Sequence, residues 1–140
     1  PDVVLDDYIQ LIQPSAEIKE RRLQLEQICN EYKWMAKTNS CVVILASQLN
    51  RALEYRGVRT AEPQLSDLAE SGAIEQVAEN VFFCHYLWKL NPDSKKNNPH
   101  KLKLIAKKVR YGETGSILLG YDGDKCKIYS SFSEYEKLTK

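Results

Sequence analysis

At 140 residues, with 43% hydrophobic and 28% charged residues and a net charge of +1, the chain has the composition of one ordinary globular domain. A chain of this length buries roughly 68% of the surface it exposes when unfolded. The near-neutral balance excludes a whole-molecule field for nucleic acid or membrane. The longest apolar runs, such as CVVILA at 41–46, are too short to cross a bilayer.

The first element is an apolar strand that opens at Val3 and closes on two adjacent acids, Asp6 and Asp7, in VVLDDYIQLI. It begins almost at the first residue and follows Pro1 rather than Met, so we expect a piece of a larger polypeptide. Pro14 breaks the pattern and Ser15 is a fitting N-cap. From Ala16 to Lys37 the positions Ile18, Leu25, Ile28, Cys29, Tyr32, Met35 and Ala36 recur at helical spacing, with charges on the other face. This predicts an amphipathic helix of about six turns. CVVILA then reads as a second strand, apolar on both faces as in parallel sheets covered by helices. Strand, helix and strand with short connections make a βαβ unit.

Residues 47–67 are polar, basic in the middle and aperiodic, and read as a long functional loop. Residues 68–80 read as a short helical segment interrupted near Gly72, and VFFCHYLW, 81–88, as a third strand. The stretch 91–100 is turn-rich. KLKLIAKKVR gives a fourth strand, SILLGY a fifth, and YDGDKCKIYS a hairpin through Asp122-Gly123. SEYEKLTK closes the chain as a charged tail. The expected class is α/β, a mainly parallel twisted sheet with flanking helices and a C-terminal hairpin.

Cys29, Cys41, Cys84 and Cys126 are scattered, with no metal-knuckle spacing. They predict reduced thiols in the interior or at its edge, and a cytoplasmic setting. His85, inside an apolar run, and His100, beside a loop, read as structural.

In open α/β sheets, ligands bind at the carboxyl ends of parallel strands. Asp6 and Asp7 end the first strand, Ser47 and Gln48 the second, and Lys107 to Arg110 the fourth. A carboxylate there suits hydrated Mg²⁺, which takes only one or two protein ligands. A strand-end Asp is, however, about as often a turn cap as a metal ligand. Gln48 could orient a water or sense a phosphate, and Arg110 could neutralise phosphoryl charge. Between Asn91 and Gly112 stand seven Lys or Arg residues and one acid, Asp93. A solvated basic loop accounts for Lys95 and Lys96 but poorly for Arg110.

VVLDDYIQLI, VVILASQLNR, LSDLAESGAIEQVAENVFF and KKVRYGETGSILLGYDG follow one another in an order that resembles replicative DNA helicases of the DnaB family. These are ring-forming motors with a RecA-like ATPase core, and the resemblance runs from Val3 to about Ile128. It implies that Asp7, in Asp7-Tyr8-Ile9-Gln10-Leu11, is the Walker B carboxylate holding Mg²⁺ through water. Asp6 replaces an aliphatic residue and is expected to be a partly exposed bystander on the opposite face. The resemblance makes Gln48 the γ-phosphate sensor. It makes Lys108 and Arg110 the piston and arginine finger that reach a neighbouring subunit's ATP.

Residues 47–72 resemble the loops that line the ring's channel and hold single-stranded DNA by its phosphates. Arg51, Arg56, Arg59, Glu70 and Gly72 are the candidates there. The family often carries Arg immediately before Glu-Ser-Gly, where this sequence has Ala69; Arg51, Arg56 or Arg59 would have to supply the cation. The 140 residues contain no G-x-x-x-x-G-K-[ST] phosphate loop. The resemblance therefore implies the carboxyl-terminal part, 1–140, of a RecA-like motor domain whose Walker A half lies upstream. The implied whole is an ATP- and Mg²⁺-dependent homohexameric helicase moving 5′ to 3′, with primase and a helicase loader as further partners, no membrane association and a replisome location. The 140 residues alone are expected not to hydrolyse ATP. Two other readings stay open: a binding module that pairs with helicase subunits or DNA, and another RecA-like recombination ATPase.

Overall fold

The computed structural model describes residues 1–14, 18–50, 62–68, 72–93 and 97–139. They fall into two compact units, Pro1–Leu53 with Gln64–Glu79, and Glu54–Pro63 with Asn80–Lys140.

The first unit contains β1 (Val3–Asp6), α1 (Arg21–Asn39), β2 (Val42–Leu45) and α2 (Gly72–Val77). Val3, Val4, Leu5 and Asp6 lie opposite Val42, Val43, Ile44 and Leu45 in a parallel pair. The βαβ unit is thus as the apolar pattern predicts. Leu25, Ile28 and Cys29 share the inner stripe of α1, and with Ile9, Leu68, Ala73 and Ile74 they form this unit's core. Burying side chains such as Leu25 and Ile28 contributes roughly 1.5–3 kcal/mol each. The helix begins at Arg21, later than its periodicity predicts, because the Ile18 carbonyl accepts the Gln24 side-chain amide instead of a helical partner. The candidate cap Ser15 lies outside the described residues. At the other end Ser40 adopts a left-handed φ of 49° and closes the helix.

The second unit is a four-stranded antiparallel sheet ordered β3 (Asn80–His85), β4 (Lys101–Val109), β5 (Gly115–Asp122) and β6 (Lys127–Tyr129), with α3 (Leu87–Leu90) and α4 (Phe132–Leu138). The α/β class stands, but among the described residues parallel pairing is confined to β1 and β2. A run such as VFFCHY does not report strand direction, and here its alternate residues Phe82 and Cys84 are exposed. Only residues 110–114 separate β4 from β5, too few for a parallel crossover. The predicted hairpin is present, with Asp122 opposite Lys127. The third strand stops at His85, and Leu87–Leu90 turns into α3. Val81 lies opposite Lys108 and Phe82 opposite Ala106, so Lys107 is an extra residue, a β-bulge in β4.

Val81, Phe83, Leu102, Ile105 and Tyr129 form the second core. The charged tail proves to be a capped helix: Ser131 Oγ accepts the Glu134 N–H at 3.1 Å, and Glu134 Oε2 accepts the Ser130 N–H at 2.8 Å. Tyr135 of α4 stacks on His100 with centroids 4.6 Å apart and meets Tyr129 edge-on at 5.4 Å. All four cysteines are free thiols. Cys29 is buried, and burial pushes its pKa up to about 11. Cys84 and Cys126 are exposed, because Cys84 falls on the outward phase of β3 and Cys126 in the hairpin turn. Among the described residues no helix is long and apolar enough to cross a membrane.

Candidate functional site

Because β1 and β2 are parallel and in register, their carboxyl ends emerge side by side. The ladder runs on past both strands: the Ala46 N–H donates to the Asp6 carbonyl at 2.9 Å, and the Ile9 N–H donates to the Ala46 carbonyl at 3.0 Å. Asp7 and Ser47–Gln48, two of the three polar clusters expected at this edge, are thereby brought together. The third cluster ends β4, which runs antiparallel to its neighbours in the second unit, so it is not part of this parallel edge.

Asp7 is exposed at the strand exit, and its peptide bond to Tyr8 is cis. Asp6, one residue earlier and on the opposite phase, is half-buried, and its Oδ2 accepts the Tyr32 hydroxyl of α1. Burial first, and then the hydrogen bond and charge of Asp6, push the Tyr32 hydroxyl up to about 12. Asp6 is therefore no bystander: it ties α1 to the end of the strand that presents Asp7.

Gln10 is the residue whose role the motif alone did not disclose. Its Nε2 donates to Ser47 Oγ at 3.1 Å, and its Oε1 accepts the Gln48 backbone N–H at 3.2 Å. Its carbonyl accepts Arg21 Nη2 at 2.5 Å, and Arg21 also donates to Gln24 Oε1 at 3.0 Å. The Gln48 residue itself is exposed. The segment after β2 is further fixed where the Asn50 N–H donates to the Asp67 carbonyl at 2.7 Å and Leu49 bridges Leu68. Asp67 is 2% exposed, and its Oδ2 accepts the Gln64 N–H at 2.7 Å. These pairings span gaps of up to 38 residues, which is why a linear reading passes over them.

The donor set fits Mg²⁺. Asp7 offers one exposed carboxylate, within the one or two that this hydrated ion takes from protein, while the Asp6 carboxylate is engaged by Tyr32. Gln48 carries an exposed side-chain amide at the exit of the neighbouring strand.

In the second unit Lys108 is half-buried opposite Val81, and Arg110 is exposed just past β4. The Arg110 N–H donates to Asn80 Oδ1 at 3.4 Å, and its guanidinium lies 5.7 Å from the Tyr111 ring. Lys107 and Lys103 converge on Glu62: Lys103 donates to Oε1, and Lys107 Nζ lies 3.7 Å from Oε2. The Lys103 hydrogen bond, then the charges of Lys103 and Lys107, hold the Glu62 carboxyl below its ordinary range. His85 is buried with neither ring nitrogen hydrogen-bonded, and burial holds its pKa down, opposed by Glu62. Of the DNA-loop candidates, Gly72 opens α2 and is exposed; Arg51, Arg56, Arg59 and Glu70 lie outside the described residues.

Residues 1–130 match the family described as DnaB-like helicase C terminal domain. The chain belongs to this family. Within it, the DnaB-like domain is 35% identical over 136 residues to the replicative DNA helicase DnaB of Geobacillus stearothermophilus, covering 96% of this chain and 28% of that protein. It is 34% identical over 139 residues to the replicative DNA helicase DnaC of Bacillus subtilis, with the same coverage. The DnaB-like chain therefore spans under a third of the length of these curated relatives. A structure titled as a DnaB-like replicative helicase and its interactions with primase superposes with a TM-score of 0.83 at 32% identity, over 91% of this chain and 30% of that one. A solved ATPase domain gives 0.82, also at 32% identity, over 91% and 43%. The RecA-like α/β architecture is that of these helicase ATPase domains.

Proposed function

We propose that the DnaB-like domain is the carboxyl-terminal part of an ATP-driven replicative DNA helicase, a homohexameric ring that moves 5′ to 3′ on single-stranded DNA. The observation that supports this reading is the meeting of the Asp7 and Ser47–Gln48 exits at one pair of parallel strand ends, where the Gln10 side chain holds Ser47 and Gln48. Bound Mg²⁺–ATP supplies the phosphoanhydride that is cleaved. Asp7 holds the ion through water and Gln48 senses the γ-phosphate. Lys108 and Arg110 serve the neighbouring subunit's nucleotide, a role that requires an exposed strand end rather than proximity to this chain's own Asp7. Arg51, Arg56, Arg59, Glu70 and Gly72 belong to the DNA-facing loops, and binding there is by phosphate contacts and falls steeply with salt. Primase, a helicase loader and the other ring subunits are the proposed protein partners, in the cytoplasm at the replisome. The relative solved with primase supports the first of these.

With no phosphate loop among its 140 residues, the chain alone is proposed not to hydrolyse ATP. A titration with a fluorescent ATP analogue and Mg²⁺, beside Asp7→Asn, tests this. No saturation up to millimolar nucleotide is the expected result. Saturable binding that Asp7→Asn removes would mean that these residues form a phosphate site by themselves, and the assignment to a partial motor would fall. In the complete motor Asp7→Asn should abolish turnover with the fold intact; near-normal turnover would sink the Mg²⁺ role.

A further inference from the structure

Asp7 and Gln48 stand on different strand exits, and the last backbone bonds between those exits, at Ala46 and Ile9, stop two residues short of Gln48. One side chain spans that gap. Gln10 comes three residues after Asp7, within the short 3-10 turn Ile9–Leu11, and holds both Ser47 and Gln48. Its amide is used at both ends, the NH₂ donating to a hydroxyl and the C=O accepting a backbone N–H, so neither polar atom is left idle. Its own backbone is held in turn by Arg21 from the start of α1. The neighbouring Ile9 is 1% exposed and anchors the same turn in the core.

We propose that Gln10 is a positioning residue that sets Gln48 against Asp7. It touches neither nucleotide nor metal. It transmits the location of the Asp7 exit to the Gln48 backbone, so that the sensor side chain starts from a fixed point. The clamp itself is read from the contacts; its consequence for turnover rests on the function proposed above. Loss of the clamp lowers the rate of the chemical step rather than the affinity for nucleotide, because Gln48 acts on the transferring phosphate more than on the bound ground state.

Backbone amide exchange on the 140-residue chain, resolved by NMR, tests the clamp without any nucleotide. In Gln10→Ala the Gln48 amide should exchange roughly three- to tenfold faster, the range expected for one net hydrogen bond. The Val42 and Ala46 amides, which donate to the Asp2 and Asp6 carbonyls across the parallel pair, serve as internal controls, since a general loss of stability would accelerate them as well. Gln10→Glu keeps an oxygen for the Gln48 N–H and another for the Ser47 hydroxyl, and should restore slow exchange at Gln48. Unchanged exchange at Gln48 in Gln10→Ala, or acceleration equal to that of Val42 and Ala46, would overturn the clamp. In the complete motor Gln10→Ala should cut kcat with little change in KM for ATP. Faster Gln48 exchange with unaltered kcat would overturn the link to turnover. Failure of the helicase reading itself shows differently, as retained turnover in Asp7→Asn.

Discussion

Replacing Tyr32 by Phe removes one hydroxyl and leaves the half-buried Asp6 carboxylate without the donor that α1 supplies. The raised pKa, about 12, comes first from burial and only then from Asp6, so it fixes the pH dependence and not the size of the effect. Hydrogen bonds to charged groups measured by mutation fall at ~1.5–3 kcal/mol when well buried, which sets about 1 kcal/mol for this partly exposed one. With a urea slope of ~1.5 kcal/mol per molar, the unfolding midpoint of Tyr32→Phe should fall by ~0.7 M at pH 7. The pH dependence has a definite sign. Because the folded hydroxyl titrates above the unfolded one, its contribution is fully present below pH 10 and is lost as pH rises toward 12. The gap between wild type and Tyr32→Phe should thus be constant from pH 7 to 9 and narrow by pH 11. Equal midpoints at pH 7, or a gap that persists undiminished at pH 11, would refute the tie between α1 and the Asp7-bearing strand.

Gly120→Ala would drive a methyl group into Tyr135 Cβ and the Ser131 carbonyl; overpacking of this kind costs ~1–3 kcal/mol, and the midpoint should drop while the His100 resonances lose the ring-current shift of Tyr135. Glu62→Gln should cost only a few tenths of a kcal/mol, since the cluster is partly exposed. That difference is present above the ordinary carboxylate range and vanishes as pH falls through the lowered folded value; an unfolding series from pH 3 to 7 with a flat difference would contradict it. In the complete motor Arg110→Ala should remove turnover, and rings mixed with subunits lacking only the phosphate-loop Lys should recover part of it. The absence of recovery would count against a role in trans.

The sequence carried the βαβ unit plainly, because two apolar runs flanking a helical period leave few alternatives. It carried the hairpin at Asp122-Gly123 for the same local reason. The antiparallel direction of β4 and β5 was also present, in the five-residue connection 110–114, but apolar content alone does not report it. α4 was signalled by Ser131-Phe132-Ser133-Glu134, an N-cap spacing hidden by the charged composition that follows. Asp7 and Gln48 were visible as motif positions at strand ends. The work of Gln10 and the Asp6–Tyr32 tie were not, since each depends on a partner 26 to 38 residues away whose approach only the folded chain defines.

The bulge in β4 bears on which changes of length this chain tolerates. A strand interior ordinarily cannot lose a residue, because a slip by one carries every later side chain to the other face. At Lys107 the reverse holds. Val81 already lies opposite Lys108 and Phe82 opposite Ala106, so removing Lys107 joins two positions that are on consecutive phases and leaves Lys108, Val109 and Arg110 facing as before. What is lost is one cation from the Glu62 cluster. A chain lacking Lys107 should fold with the Val81–Lys108 pairing retained, visible as a cross-strand contact by NMR; a flipped or unfolded β4 would rule this out. In this strand, relatives one residue shorter before the Lys-x-Arg positions are compatible with the same fold.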